Sequence, residues 1–87
     1  MMSPYPDALK EAVAETIHNM WIEWSSTIAD TEKISTERIR RWTQLWIPYS
    51  ELPEAEKDKD RRLAHKIIMT IIDFYRKSRK NKTEGKQ

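Results

Sequence analysis

The residues with the clearest capacity for chemistry are a histidine, several tryptophans and a group of arginines. His18 precedes Trp21 by three residues, so the two side chains share a face of any helix that contains them. Further along the chain, arginines stand close to two more tryptophans: Arg38, Arg41, Trp42 and Trp46. An aromatic groove flanked by guanidinium groups would suit a planar, anionic ligand, through stacking and bidentate hydrogen bonds.

His18 has two interpretations. As a structural residue it would be a partly buried imidazole bonded to a backbone carbonyl or a carboxylate, and as a functional one it would contact a ligand at the edge of a groove between the first two helices. Glu15 lies three residues earlier on the same face, but carboxylate-bridged metal sites in helical bundles need a second motif of this kind. The sequence therefore predicts no metal site and leaves the other two interpretations open.

The four tryptophans also have a structural explanation. Each falls on a helix face that the apolar periodicity assigns to the core, so burial is the default for at least three of them. Four is nevertheless many for a domain of this size, and each buried indole N–H needs a partner, which favours the rim of a groove or an interface. The tryptophans fit either a core or a binding groove.

Catalytic and cofactor signatures are absent from the linear sequence. It contains no glycine-rich phosphate loop, no HExxH or EF-hand pattern and no nucleophile beside a base. His65 stands between Ala64 and Lys66 with no partner evident in the sequence. We therefore expect a protein that is not an enzyme and that uses no cofactor.

The composition indicates one small helical domain. With 87 residues, one glycine and 34% charged residues, the chain is long enough for a single, marginal core. Six of the seven charged side chains in residues 76–87 are basic, so the first 75 residues carry a formal charge of about −3 against +2 overall. Cysteine is absent, which excludes disulfides. Neither a signal peptide nor a membrane-spanning run is evident, and a cytoplasmic location is expected.

Apolar periodicity predicts the elements that would position these residues. After a cap at Asp7, apolar residues recur at spacings of three and four and predict a first helix over about 7–26, followed by a loop over 25–33. The stripe consists of Leu9, Val13, Ile17, Trp21 (with Met20), Trp24 and Ile28. Ser35 is a good N-cap for a second helix over about 35–46, which ends before Pro48 because proline disfavours the α conformation in the preceding residue. Its expected buried face comprises Ile39, Trp42, Leu45 and Trp46.

The third helix is expected to be the longest, over about 53–79, with Pro53 at its first position. Its expected core face comprises Leu63, Ile67, Ile68, Ile71, Ile72 and Tyr75. The predicted fold is therefore all-α: a small three-helix domain over residues 7–79 and a disordered basic C-terminal tail over residues 80–87. Between helices 2 and 3 lies a Pro-Tyr turn, anchored by Tyr49 and Leu52.

Two parts of the sequence together resemble a known family. His18 and Trp21 form a His-x-x-Trp pair, and the turn opens a motif made by Pro48, Tyr49, Leu52, Pro53, Lys57, Asp60 and Arg61. These features resemble the Ryr domain, the repeat of ryanodine receptors that also occurs as single small proteins or modules in bacteria and phages. The receptor repeats usually carry Gly-Trp and Tyr-Gly segments between the two parts. The middle of this chain is instead similar to a prokaryotic and phage variant in which an Arg-Trp pair, here Arg41 and Trp42, precedes the turn.

The resemblance implies a mostly helical, non-catalytic binding module, with nucleotide-like ligands suggested for some relatives. It implies that Asp60 and Arg61 hold the Pro-Tyr turn against helix 3, and that Pro48, Leu52 and Lys57 are also structural. We expect a module that recognises a small anionic, nucleotide-like ligand or a protein partner, and that senses or sequesters a nucleotide-derived signal in a phage or bacterial setting. The predicted ligand-binding residues are His18, Trp21, Arg38, Arg41, Trp42, Trp46 and Tyr49.

Three further expectations concern partners. A marginal core, surplus tryptophan and the pairing of related repeats predict a homodimer or higher oligomer. The basic segment Arg76–Lys86 offers an alternative function in nucleic-acid binding, and a purely structural adaptor is a third alternative. No membrane association is expected.

Overall fold

A computed structural model describes residues 3–84 of the chain. Within that range it contains three α-helices, one short 3₁₀ turn and no strand: α1 Asp7–Thr31, α2 Thr36–Thr43, the 3₁₀ turn Tyr49–Glu51 and α3 Glu54–Glu84. The predicted all-α fold is confirmed. None of the described helices is long and apolar enough to cross a membrane.

α1 is longer than predicted. Its capping residue is Pro6, in an extended conformation, so Asp7 starts the helix instead of capping it. The helix continues through most of the segment predicted as a loop, and only residues 32–35 connect it to α2. Residues 25–31 contain no glycine or proline, and hydroxyls in this segment donate back to the helix, as from Thr27 Oγ1 to the Glu23 carbonyl at 2.9 Å.

α2 is shorter than predicted. Ser35 caps it as expected, since its hydroxyl accepts a hydrogen bond from the backbone N–H of Arg38 at 3.2 Å. The helix ends at Thr43, and a tighter turn follows. That turn carries Trp46 to α1, where its indole N–H donates to Ser25 Oγ at 3.0 Å. A tertiary contact therefore replaces the last helical turn that the apolar pattern predicted.

α1 and α3 pack antiparallel against each other. At one end the hydroxyl of Tyr5 lies 2.6 Å from His65 Nδ1. Closer to the start of α3, the carboxylate of Glu11 binds the guanidinium of Arg61. Tyr5 is buried, although it precedes the first predicted helix.

The core is built on small residues and on the Pro-Tyr turn. Ala14 of α1 and Ala64 of α3 are both completely buried, which allows the two helix backbones to approach closely. Tyr49 and Leu52 are 6% and 5% exposed and complete the same cluster, so both predicted anchors of the turn are confirmed. The backbone N–H groups of Glu56 and Lys57 bond to the carbonyl of the residue before α3, Pro53, which therefore precedes the helix and does not occupy its first position.

The predicted core face of α3 is largely wrong. Ile68 is 3% exposed and Ile72 partly buried, but most of the large side chains assigned to the core are about half exposed or more: Leu63 48%, Ile67 44%, Ile71 50% and Tyr75 66%. Two rows of residues on α3 share the same spacing of four, and periodicity alone does not choose between them. The row that contains Ala64 faces α1 because its small side chain permits the closer approach.

The predicted stripe of α1 is wrong at three positions. Leu9 is 43% exposed, Trp24 is 59% exposed and Met20 is 63% exposed. Only a short α2 and one side of α3 are available to cover α1, so the outer members of a broad stripe remain in contact with solvent.

α3 extends beyond the helix that it packs against. The contact between Tyr5 and His65 lies at the N-terminal end of α1, and every residue from Asp73 to Arg79 is exposed. The molecule is accordingly elongated, with extents of 62 × 31 × 14 Å. The helix reaches Glu84, five residues past its predicted end. Residues 80–84 therefore lie in α3, where the sequence predicted a disordered tail, and the rest of that tail, residues 85–87, lies outside the described residues.

Candidate functional site

A groove of about 250 Å³ opens where the three helices and the Pro-Tyr turn meet. α1 contributes a histidine and a tryptophan, α2 a second tryptophan, the segments around the turn two leucines, and the first turns of α3 three charged residues. The lining residues are His18, Trp21, Trp42, Leu45, Leu52, Glu56, Lys59 and Asp60. The groove therefore combines an aromatic side, an apolar base and a charged edge.

The aromatic side of the groove is a chain of ring contacts. The rings of Trp21 and Trp42 meet edge to face, with centroids 6.2 Å apart and planes at 81°. The imidazole of His18 stacks on Trp21 at 6.0 Å, and Trp24 contacts Trp42 from the outer side at 6.2 Å. Because each ring is held by a neighbour, the tryptophan faces that border the groove are preorganised.

One ring nitrogen of His18 is hydrogen-bonded, and the other is directed towards a carboxylate. The residue is 3% exposed, and its Nε2 lies 2.7 Å from the carbonyl oxygen of Ile47. A carbonyl oxygen only accepts, so Nε2 carries the proton and donates. Nδ1 then lies 3.8 Å from Oδ2 of Asp60, too far for a direct hydrogen bond. The structural interpretation of His18, an imidazole bonded to a carbonyl, is confirmed, and its role as a ligand contact stays a prediction.

Asp60 is a partly desolvated carboxylate at the edge of the groove. Burial raises the pKa of Asp60. Its side chain is 17% exposed. A carboxylate that has lost much of its water gains more from a ligand N–H donor than an exposed one does, because less hydration is displaced.

A second set of residues ties the turn to both long helices. The guanidinium of Arg61 donates two hydrogen bonds to Glu11, from Nε to Oε2 at 2.7 Å and from Nη2 to Oε1 at 2.9 Å. Tyr49 donates its hydroxyl to the same Oε1 at 3.0 Å. We call Glu11, Tyr49 and Arg61 the clamp, because one carboxylate on α1 binds both the turn and α3.

The clamp also determines local electrostatics. Hydrogen bonds from Arg61 hold the pKa of Glu11 below its usual range, with a smaller contribution from Tyr49. Burial, followed by the hydrogen bond to Glu11, raises the pKa of Tyr49. Arg61 Nη1 also donates to Glu54 Oε2 at 2.7 Å and to Asp58 Oδ1 at 2.9 Å. Hydrogen bonds to all three carboxylates, that of Glu11 first, raise the pKa of Arg61. The guanidinium is therefore engaged within the fold.

The predicted site residues fall into three groups. His18, Trp21 and Trp42 line the groove together. Tyr49 and Trp46 do not line the groove, and they make contacts within the fold through the clamp and through the bond to Ser25. Arg38 and Arg41 are exposed on α2 and do not line the groove. Nη1 of Arg41 lies 3.9 Å from Oε1 of Glu37.

The residues assigned to the structural motif also have defined places. Leu52 lies in the core and at the groove, and Pro48 immediately precedes the 3₁₀ turn. Lys57 Nζ lies 5.6 Å from the centre of the Tyr49 ring. Arg61 reaches the turn through Glu11, whereas Asp60 faces His18 and the groove.

Sequence reasoning missed several residues of the site. Glu56 and Lys59 are not among the predicted site residues, although both border the groove. Their spacing with Asp60, at i, i+3 and i+4, was a signal that they share a face. Glu11 carried no comparable signal, because its partner Arg61 is 50 residues away in the sequence.

Several basic side chains of the domain lie together outside the groove. A more open concavity of about 510 Å³ has none of the groove residues in its lining, which consists of Lys10, Asp58, Arg61, Arg62, His65 and Lys66. The groove itself is lined by two carboxylates and one lysine, Lys59, whose Nζ lies 3.3 Å from Oε1 of Glu56. Within the described part of the chain, no three His, Asp or Glu side chains are grouped closely enough to hold a metal ion.

Fold and groove together define a small all-α module with a preorganised aromatic groove at a turn between helices. The chain belongs to the RyR domain family, whose model matches residues 1–77. That match spans α1, α2, the turn and most of α3. Neither curated proteins nor solved structures give a significant match to the chain.

Proposed function

We propose that this protein is a non-catalytic binding module whose groove holds the planar, nitrogen-rich ring of a nucleotide-like ligand. The observation that carries the proposal is the presence, in one groove, of two tryptophans and two hydrogen-bond acceptors, Asp60 and Nδ1 of His18. Membership of the RyR domain family supports the proposal, because resemblance to this family implies a binding role.

The tryptophans account for the planar part of the ligand. Trp21 and Trp42 present fixed rings to the groove, and a heterocyclic base placed against an indole gains about 1–3 kcal/mol from stacking. The groove, at about 250 Å³, is slightly smaller than the roughly 300–1,000 Å³ typical of sites for drug-sized ligands. One ring system fits this space better than a whole dinucleotide.

The acceptors account for the nitrogen-rich part. The 3.8 Å between His18 Nδ1 and Asp60 Oδ2 leaves no direct hydrogen bond between them, so both atoms are available to donors. A base that carries an amino group and a ring N–H offers two adjacent donors. Such a ligand would bind the partly buried carboxylate of Asp60 and replace the hydration that burial has removed.

The charge of the groove disfavours a phosphate within it. Glu56 and Asp60 outweigh Lys59, so the lining has a formal charge of −1, which disfavours an anion within it. Arg38 lies four residues before Trp42, on the same face of α2, and is exposed. We therefore assign the ring to the groove and the phosphate to solvent near Arg38, which refines the anionic site predicted from sequence.

The test is a titration of nucleosides and their monophosphates, followed by tryptophan fluorescence and isothermal calorimetry. Asp60→Asn should weaken both classes of ligand by about tenfold, the equivalent of roughly 1.4 kcal/mol. Its matched control is Asp73→Asn, which makes the same change at an exposed position of α3 outside the groove. Arg38→Ala should weaken the monophosphate and leave the nucleoside unchanged.

Two results would contradict the proposal: no response to any nucleoside or nucleotide, or equal affinities in Asp60→Asn and the wild type. Salt-sensitive binding of DNA or RNA that disappears on removal of residues 76–87 would favour the nucleic-acid alternative. Nucleoside binding should survive that truncation, because no groove residue lies within it.

A further inference from the structure

We infer that the exposed apolar face of α3 is a surface for a second copy of this chain, paired antiparallel through α3. The face consists of Leu63, Ile67, Ile71, Phe74 and Tyr75, and we call it the α3 stripe. Its members recur at spacings of three and four, so they lie along one side of the helix. This surface is separate from the groove, and neither proposal depends on the other.

The stripe is a large exposed apolar surface for a domain of this size. Its five side chains are between 44% and 66% exposed. They present on the order of 500 Å² of apolar surface, which is at the upper end of the patches that soluble monomers leave uncovered. Two such surfaces would bury on the order of 1,000 Å² in a dimer, close to the lower limit for a specific interface. The expected association is therefore weak and concentration-dependent.

The spacing of the stripe makes it self-complementary. Leu63, Ile67, Ile71 and Tyr75 stand at intervals of four, symmetrically about position 69. An antiparallel pair with its two-fold axis at that level brings Ile67 against Ile71 of the second copy, and Leu63 against Tyr75. A two-fold interface requires this property, because each surface must fit an identical copy of itself.

Charge selects the antiparallel direction. Residues 54–62, before the stripe, contain four acidic and four basic side chains, whereas residues 76–79, after it, contain three basic and no acidic ones. An antiparallel pair sets the formally neutral start of one α3 beside the basic end of the other. A parallel pair would set basic ends against each other, at an electrostatic cost.

The first test is sedimentation equilibrium of the full chain over a range of concentrations. The wild type should dimerise reversibly, and Ile71→Lys should raise the dissociation constant by about tenfold or more. The matched control is Met20→Lys, which adds the same charge at a residue of α1 that is 63% exposed and should change the constant by less than about twofold. Circular dichroism of both variants checks that α3 is folded.

The second test reports the direction of the pair. The chain has no cysteine, so single-cysteine variants can be cross-linked without background. Thr70→Cys lies next to the expected two-fold axis and should form an intermolecular disulfide on mild oxidation. Lys77→Cys lies far from that axis and should not, whereas a parallel pair would cross-link at both positions.

Three results would overturn the inference. They are a monomer at every concentration up to the high micromolar range, a dimer that Ile71→Lys leaves intact, and cross-linking of Lys77→Cys as efficient as that of Thr70→Cys. Ile71 does not line the groove, so Ile71→Lys should still bind nucleosides if the proposed function is correct. Measuring nucleoside binding by this variant therefore distinguishes failure of this inference from failure of the proposed function.

Discussion

The hydroxyl of Tyr49 offers a sharp test of the clamp. Tyr49→Phe keeps the ring, which is 6% exposed, and removes only the hydrogen bond to Glu11. A hydrogen bond to a charged group contributes about 1.5–3 kcal/mol to stability. The carboxylate of Glu11 is 40% exposed and keeps both bonds from Arg61, so water replaces part of the loss. We expect a cost of about 1 kcal/mol, and a fall of roughly 4–8 °C in Tm for a domain of this size.

The pH dependence of that cost follows from the direction of the Glu11 pKa. Arg61 first, and Tyr49 to a smaller extent, lower the pKa of Glu11 in the folded state. The stability that this provides is fully present above the pKa of the unfolded carboxyl and is lost as the pH falls through the folded pKa. Tyr49→Phe removes part of it, so the difference from the wild type should be largest near neutrality and should shrink in acid.

Thermal denaturation followed by circular dichroism, at about pH 7 and about pH 3, measures both effects. Tyr75→Phe is the matched control, because Tyr75 is 66% exposed and lies outside the clamp. If Tyr49→Phe were no less stable than Tyr75→Phe at neutral pH, or if its cost grew in acid, the role given to the clamp would be refuted.

Substitutions at two other polar residues are expected to change the stability of the fold in opposite directions. Burial raises the pKa of Asp60 in the folded state, so ionisation of Asp60 lowers stability as the pH rises from the unfolded to the folded pKa. Urea denaturation should show Asp60→Asn to be more stable than the wild type at neutral pH, with the gain vanishing in acid; a loss at neutral pH would contradict this. Ser25→Ala leaves the indole N–H of Trp46 without its acceptor and should cost about 1–3 kcal/mol. Thr27→Ala removes an exposed hydroxyl of the same helix, and equal stability of these two alanine variants would show that the Ser25 bond contributes nothing.

The features that could be predicted from the sequence are governed by local chemistry. Ser35 caps α2 because a hydroxyl at that position reaches the N–H of Arg38, a contact within one turn. Tyr49 and Leu52 anchor the turn because they are the large side chains beside Pro48 and Pro53. The His-x-x-Trp pair was correctly placed on one face, because helical geometry alone brings Trp21 next to His18.

The features that could not be predicted depend on which helix faces meet. On α3 the apolar pattern favoured the larger side chains, whereas close packing against Ala14 selected the row that contains Ala64. The same limit applies to the groove. Its charged edge comes from the first turns of α3, whose sequence resembles that of any solvent-exposed helix start. Only the approach of α1 brings Nδ1 of His18 to 3.8 Å from Oδ2 of Asp60.

The Pro-Tyr turn connects stability with binding. The carbonyl of Ile47 holds the imidazole of His18, Tyr49 joins the clamp, and Leu52 belongs both to the core and to the groove. The groove is therefore shaped by the same few residues that close the fold. Asp60 is the exception, since its burial lowers stability at neutral pH. A fold selected for stability alone would place an uncharged side chain there. The proposed site needs an acceptor facing the tryptophans, so the variant that is expected to fold better, Asp60→Asn, is also the one expected to bind less.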